Sequence, residues 1–279
     1  LVGSEMCIRD SIEGNVWGWG NNSSGELGSN LKGKVYVPTK ISGINNATFI
    51  SAGEGFSAAI VEGDIWTWGN NSYGRLGRDK TVPYGVPGKG ISMEVKFSSI
   101  DCGQYFTVAK YIWNDPWNDE DLGAWGRNNS GQLGVGDEID RLTLCTPHSL
   151  DGYHTIELSA GREHVLALQT DGEVYSWGRN SVGQLGLGDK NNYNEPMLIP
   201  NFRGIVFVEA AYEHSIAIKE DGTVYTWGEG RDGQMGNGNR GTSRSPVKVS
   251  GISNAKSASG GNSFTCVLDK NGKLFSFGD

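Results

Sequence analysis

An all-β fold, a β-propeller of four-stranded antiparallel blades, is predicted by three observations. A ten-residue phrase recurs five times: WGNNSSGELG from Trp19, WGNNSYGRLG from Trp68, WGRNNSGQLG from Trp125, WGRNSVGQLG from Trp177 and WGEGRDGQMG from Trp227. Subtracting residue numbers puts successive aromatic anchors 49 to 57 residues apart, with a sixth copy begun at Phe277-Gly278-Asp279, and a period in that range marks a repeat architecture. The last three units also carry a tight-turn dipeptide between two short apolar runs, and composition agrees: 43 glycines and 37% hydrophobic residues suit a turn-rich β protein.

Each strand of a blade has its own signal. In the fourth unit Val165 to Leu168 and Val174 to Trp177 flank Thr170-Asp171-Gly172, and Asp-Gly between strand-forming runs signals a hairpin. Asp221-Gly222 and Asn271-Gly272 repeat it in the next two units. Upstream lie apolar segments, Phe97 to Ile100, Thr155 to Leu158 and Ile205 to Val208, ending in small-residue steps such as Asp101-Cys102-Gly103 and Ser159-Ala160-Gly161. Small residues there let backbones crowd together, which makes this the innermost strand. The fourth strand is expected where proline recurs, over Pro38 to Gly43, Pro147 to Gly152 and Pro246 to Gly251, because proline cannot donate a ladder hydrogen bond and is confined to edges.

Along Val224-Tyr225-Thr226-Trp227 the two aromatics alternate with smaller residues, so each blade has two faces to bury against neighbours. On this reading the signature residues Trp19, Trp68, Trp125, Trp177 and Trp227 are core between blades. Gly28, Gly77, Gly134, Gly186 and Gly236 serve the turns that close the phrase.

With the W-G-x-N-x-x-G-x-L-G phrase, the A-G-x-x-H step at Ala160 to His164 and the D-G-x-V-Y-x-W-G hairpin at Asp221 to Gly228, the chain resembles the regulator of chromosome condensation repeat family over Ser11 to Asp279. Kelch and WD-type repeats have different signatures. The resemblance implies a seven-bladed ring, of which about five repeats are present here. Its founding member catalyses nucleotide exchange on the small GTPase Ran, while the repeats also occur in ubiquitin ligases, light receptors and kinases. A shared scaffold with differing surfaces is what that implies. Counting from the strand at Val16 to Trp19 to its equivalent at Leu274 to Phe277 gives five periods plus a duplicated strand, so a fragment of a larger propeller is expected, prone to associate through exposed blade faces. Residues 1–11, LVGSEMCIRDS, fit no repeat position and resemble translated adapter sequence, so the propeller domain is taken as 12–279.

A net charge of -8, from 24 basic and 32 acidic residues, opposes binding to phosphate backbones or membrane surfaces, and neither a nucleic-acid nor a membrane partner is expected. Cytoplasmic or nuclear residence is slightly favoured. The cysteines Cys7, Cys102, Cys145 and Cys266 lack C-x-x-C spacing and read as free thiols, with no metal or cofactor expected. Glu163-His164 and Glu213-His214 invite an acid-base reading, but a pair recurring at one repeat position serves the repeat, as a hydrogen bond holding the inner turn. No catalytic residue is assigned. The Asn-x-Ser/Thr triplets at Asn21, Asn22, Asn46, Asn70 and Asn128 could accept glycans in a secreted protein, but all except Asn46 fall inside the repeat turn, where Asn and Ser are wanted for backbone reasons.

One segment breaks the pattern. YIWNDPWNDEDLG, Tyr111 to Gly123, replaces a tight turn in the third hairpin and carries Trp113, Asp115, Trp117, Asp119, Glu120 and Asp121. Aromatics beside charge on a rigidly held loop make a candidate partner-binding knob. A long solvated turn accounts for the same composition and carries more weight. The functional expectation is a protein-protein interaction scaffold without bond chemistry, its partner unidentified. The alternatives are guanine nucleotide exchange on a Ran-like small GTPase and an extracellular or virion-surface recognition module.

Overall fold

The computed structural model describes residues 14–29, 33–78, 84–91, 94–113, 120–148, 150 and 154–279, together with the backbone of 6–10. Two compact units emerge, one built from 3–129 and 139–147, the other from 130–138 and 148–279. Among the described residues no helix is long and apolar enough to cross a membrane.

In the first unit, β1 (Met6–Asp10), β2 (Val16–Gly20) and β3 (Val35–Lys40) form a three-stranded sheet. Two four-stranded sheets follow. One is β4 (Ala47–Gly53), β5 (Phe56–Val61), β6 (Asp64–Gly69) and β7 (Gly88–Lys89); the other is β8 (Val95–Cys102), β9 (Phe106–Trp113), β10 (Glu120–Gly126) and β11 (Arg141–Cys145). The second unit has β12 (Thr155–Ala160), β13 (His164–Gln169), β14 (Val174–Gly178) and β15 (Tyr193–Leu198), then β16 (Ile205–Ala210), β17 (His214–Lys219), β18 (Val224–Gly228) and β19 (Ser243–Lys248). It closes with the three-stranded β20 (Ala255–Gly260), β21 (Phe264–Asp269) and β22 (Leu274–Gly278). Every pairing is antiparallel and joins strands in chain order. These are the blades the repeat predicts. Met6–Asp10, placed outside the repeat on sequence grounds, lies in full register along β2.

The hairpins fall where Asp-Gly and Asn-Gly placed them, with Gly172 and Gly222 at φ 79° and Gly272 at φ 83°. The fourth strand begins earlier than the prolines suggested. Pro38 and Pro246 sit within β3 and β19, and Pro147 lies beyond the end of β11. β3, β11 and β19 each pair within their sheet on one side only, through two or three residues and across a bulge, so a residue without an N–H is tolerated there.

Sheets stack face to face within each unit through the signature tryptophan. Trp227 is buried with Leu166, Leu168 and Val174 of the preceding sheet, while Val224, Ile216 and Ile218 of its own sheet pack on Val267 of the next. Trp68, Trp125, Trp177 and Trp227 are all fully buried, and each indole N–H donates to a turn carbonyl one repeat upstream: Glu26 at 2.8 Å, Arg75 at 3.0 Å, Gln132 at 3.0 Å and Gln184 at 2.9 Å. Trp19, in the first described sheet of its unit, is only half-buried. The hydroxyls of Ser57, Thr107, Ser215 and Thr265 donate to the same turn position. Burial of a polar indole is thus matched by a satisfied donor at each of these junctions.

The glycine closing the phrase has two reasons to be glycine. Gly77, Gly186 and Gly236 sit at φ 58°, 75° and 57°, and a Cβ on each would lie 2.6 to 2.9 Å from the aromatic anchor of the following sheet. Gly28 and Gly134 share the left-handed conformation.

Candidate partner-binding surfaces

The strands of each sheet end on two sides, and the two candidate surfaces of the first unit lie at opposite ends. At one end the third hairpin outgrows the others. β8 and β9 each have eight residues, and Trp113 pairs with Val95. Tyr111 is buried edge-on to Phe97 and Trp113, with centroids 5.8 and 5.6 Å away, and its hydroxyl donates to Asp121 Oδ2 at 3.2 Å. Burial and the Asp121 carboxylate raise the phenol's pKa. Glu120 Oε2 stands 3.6 Å from Lys110 Nζ. Of the insert residues, Glu120 and Asp121 therefore hold their own hairpin, while Trp113 leaves 38% of its surface exposed. Asp115, Trp117 and Asp119 lie outside the described residues.

At the other end, roughly 23 Å away along β9 by strand rise, is a cleft of about 580 Å³ that sequence reasoning did not single out. Glu54 and Tyr105 come from the steps between first and second strands, Arg127 follows β10, and Tyr73 and Arg75 stand in the turn after β6. Tyr105 donates to Glu54 Oε1 at 2.9 Å, and Gln104 Nε2 to Oε2 at 2.5 Å. Arg75 donates from Nη1 to the Glu54 carbonyl at 2.8 Å and from Nε to the Ser72 carbonyl at 2.9 Å. Its guanidinium lies 4.4 Å from the Tyr105 ring centroid. Burial pulls the Arg75 pKa down to about 10, against the raising influence of Tyr105 and Glu54. Arg127 faces the Tyr73 and Tyr105 rings at 5.1 and 5.5 Å.

The same positions in the second unit carry compensated charge. Arg162 donates to Glu213 at 2.6 Å and stacks on Tyr212 at 4.9 Å; Arg179 donates to Glu163 at 3.0 Å.

The histidines are structural, though not through the inner turn of their own sheet. His164 Nε2 lies 3.0 Å from Ser215 Oγ and His214 Nε2 2.8 Å from Thr265 Oγ1, each on the following sheet. Both hydroxyls spend their proton on the Gln184 and Gln234 carbonyls, so the imidazoles must donate from Nε2 and carry a bare Nδ1. Burial lowers their pKa values to about 3 and about 4, with each residue itself fully buried. Neither is accessible as an acid or base. His148 instead pairs with Glu195 at 2.9 Å on the surface. Cys102, Cys145 and Cys266 are free thiols, and burial drives that of Cys102 far up. Asn22 and Asn128 are buried in their turns, where Asn22 Oδ1 accepts the Leu27 N–H at 2.9 Å.

Known proteins share this repeat. The ultraviolet-B receptor UVR8 of Arabidopsis thaliana is 32% identical over 204 residues, covering 71% of this chain and 44% of that protein. The mitochondrial RCC1 domain-containing protein RUG3 of the same plant is 30% identical over 222 residues, covering 74% and 48%. The chain spans less than half the length of these curated relatives. The crystal structure of Prp20p from Saccharomyces cerevisiae superposes with a TM-score of 0.82 at 21% identity, covering 97% of this chain and 68% of that one, which establishes the β-propeller fold. The family model described as the RCC1-like domain matches residues 3–267, and the chain belongs to that family.

Proposed function

We propose that this protein is a non-enzymatic interaction module that binds a protein partner through side chains at its strand ends. One contrast carries the reading. Polar side chains that recur in the strands are engaged in sheet-to-sheet bonds, as Trp227, Ser215 and His164 are, whereas strand-end positions differ in chemistry from sheet to sheet. The residue two after the signature Trp is Asn21, Asn70, Arg127, Arg179 and Glu229 in turn. A rigid scaffold with variable loop ends is how interaction surfaces are generally built. The extended third hairpin, with Trp113 braced by Tyr111, is one candidate contact of this kind, and Asp115, Trp117 and Asp119 belong to the same proposal. Affinity capture with the intact chain, compared with a variant whose residues 111–123 are cut back to the Asp-Gly hairpin of the fourth unit, tests it. Enrichment of a protein that the shortened hairpin or a strand-end variant releases supports the module; no protein enriched over a control of the same fold refutes it.

A second reading is guanine nucleotide exchange on a Ran-like GTPase. It is favoured by the match in fold to Prp20p, whose structural description reports binding to Gsp1p and histones. Release of labelled GDP from a Ran-type GTPase decides it, and unchanged release sinks it.

A further inference from the structure

We propose that the cleft beside β6 is a recognition site for a carboxylate side chain presented by an extended segment of a partner protein. This deepens the interaction-module reading and rests on it.

The site originates in one departure from the repeat. In four turns the residue before the Leu or Met accepts a backbone N–H from two residues upstream: Glu26 from Ser24 at 2.6 Å, Gln132 from Ser130 at 2.9 Å, Gln184 from Val182 at 3.0 Å and Gln234 from Asp232 at 3.0 Å. Arg75 holds this position in the second turn, and a guanidinium has no acceptor. It donates to the Ser72 carbonyl instead, and the turn becomes a short 3-10 segment over Ser72–Gly74 with Tyr73 at φ 64°, ψ 6°. A left-handed tyrosine is a strained conformation, and such strain concentrates at binding sites. Here it holds the Tyr73 ring 5.8 Å from Tyr105, with 44% of the residue exposed.

The second observation is charge. Arg75 is only 2% exposed, yet among the described residues no carboxylate lies within ion-pair distance of it. The nearby acids are engaged elsewhere, Glu54 by Gln104 and Tyr105, Glu26 by the Ser24 N–H. A buried guanidinium without a direct ion pair is costly to maintain, with Glu54 offsetting burial only in part from longer range, and its lowered pKa accords with that. Nη2 enters none of the bonds Arg75 makes inside the protein, and the residue lines the cleft. A carboxylate is the planar acceptor that matches this donor. Asn21, Asn70 and Ser72 on the same lining offer hydrogen bonds to the backbone of the segment that carries it.

The test is fluorescence anisotropy with labelled short peptide pools, a central position fixed as Asp or Glu in one, Asn or Gln in a second and phosphoserine in a third. The expected result is binding of the Asp/Glu pool at least about tenfold tighter than the amide pool. Arg75→Gln, which supplies the missing acceptor and restores the ordinary turn, should abolish that preference while leaving the unfolding midpoint near the parent's. Should that variant fail to fold, Tyr73→Ala must weaken Asp/Glu binding with Arg75 in place. Equal binding of acidic and amide pools, or preference for phosphoserine, overturns the carboxylate assignment. A captured partner that Arg75→Gln does not release overturns this site while leaving the module standing; absence of any captured partner removes the module itself.

Discussion

Acidification should destabilise this protein through two buried imidazoles. His164 and His214 are neutral in the folded chain, with pKa values held by burial at about 3 and about 4. In the unfolded chain each reverts to about 6.5. The unfolded state therefore binds protons that the native state refuses. Stability is fully present above the unfolded pKa and is lost as pH falls toward the native values. Between about pH 7.5 and about pH 5 the loss is about 2 kcal/mol per histidine, or about 4 kcal/mol for the pair. The repeat supplies its own control, because Phe56 and Phe106 occupy the equivalent positions fully buried. In a His164→Phe/His214→Phe variant Ser215 and Thr265 keep their bonds to the Gln184 and Gln234 carbonyls, so no hydroxyl is stranded. Urea unfolding followed by tryptophan fluorescence at both pH values provides the measurement. The parent should lose stability by about the stated amount more than the variant. Equal pH dependence in the two proteins would refute neutral, buried histidines.

Other outcomes follow from the same contacts. Gly186→Ala should lose about 2–4 kcal/mol, because it combines a left-handed backbone with a Cβ 2.9 Å from the Trp227 indole nitrogen. Gly238→Ala, at φ 83° with nothing within 4 Å, should lose only about 1 kcal/mol, and a pair of equal losses by denaturation would contradict the packing role. Trp227→Phe should lose about 2–3 kcal/mol through packing and one indole bond, although Ser215 still serves the Gln184 carbonyl; an unfolding midpoint unmoved from the parent's would remove it from the core. Cutting the third hairpin back to an Asp-Gly turn severs the Tyr111 to Asp121 bond and the Lys110 to Glu120 pair, so a loss of about 1–2 kcal/mol is expected, read from the urea midpoint.

Much of the fold was legible because repetition averages out the ambiguity of any one segment. Asp-Gly located the hairpins, and the five Trp-Gly phrases located the faces that sheets bury, since an aromatic recurring at one register must be doing one job. The fourth strand was placed late because proline marks an edge without marking where pairing starts: β19 opens at Ser243, three residues before Pro246. The histidines were rightly read as repeat chemistry, but spacing within one unit says nothing about a partner 51 residues away. Their bonds to Ser215 and Thr265 become visible only when sheets are stacked.

The cleft was harder to see for a related reason. Its residues are scattered from Asn21 to Arg127, and each sits in or beside the Trp-Gly phrase or the small-residue step, whose regularity reads as architecture. A signal was nevertheless present: where the other turns have Glu26, Gln132, Gln184 and Gln234, all able to accept, the second has Arg75, which can only donate. Variation in size or polarity at such a position would change little. Variation in hydrogen-bonding sense changes the backbone, and the left-handed Tyr73 is the consequence. In a repeat protein the informative departure is therefore not only the insertion that lengthens a loop, as at Tyr111 to Gly123, but the single residue that cannot make the bond its position requires.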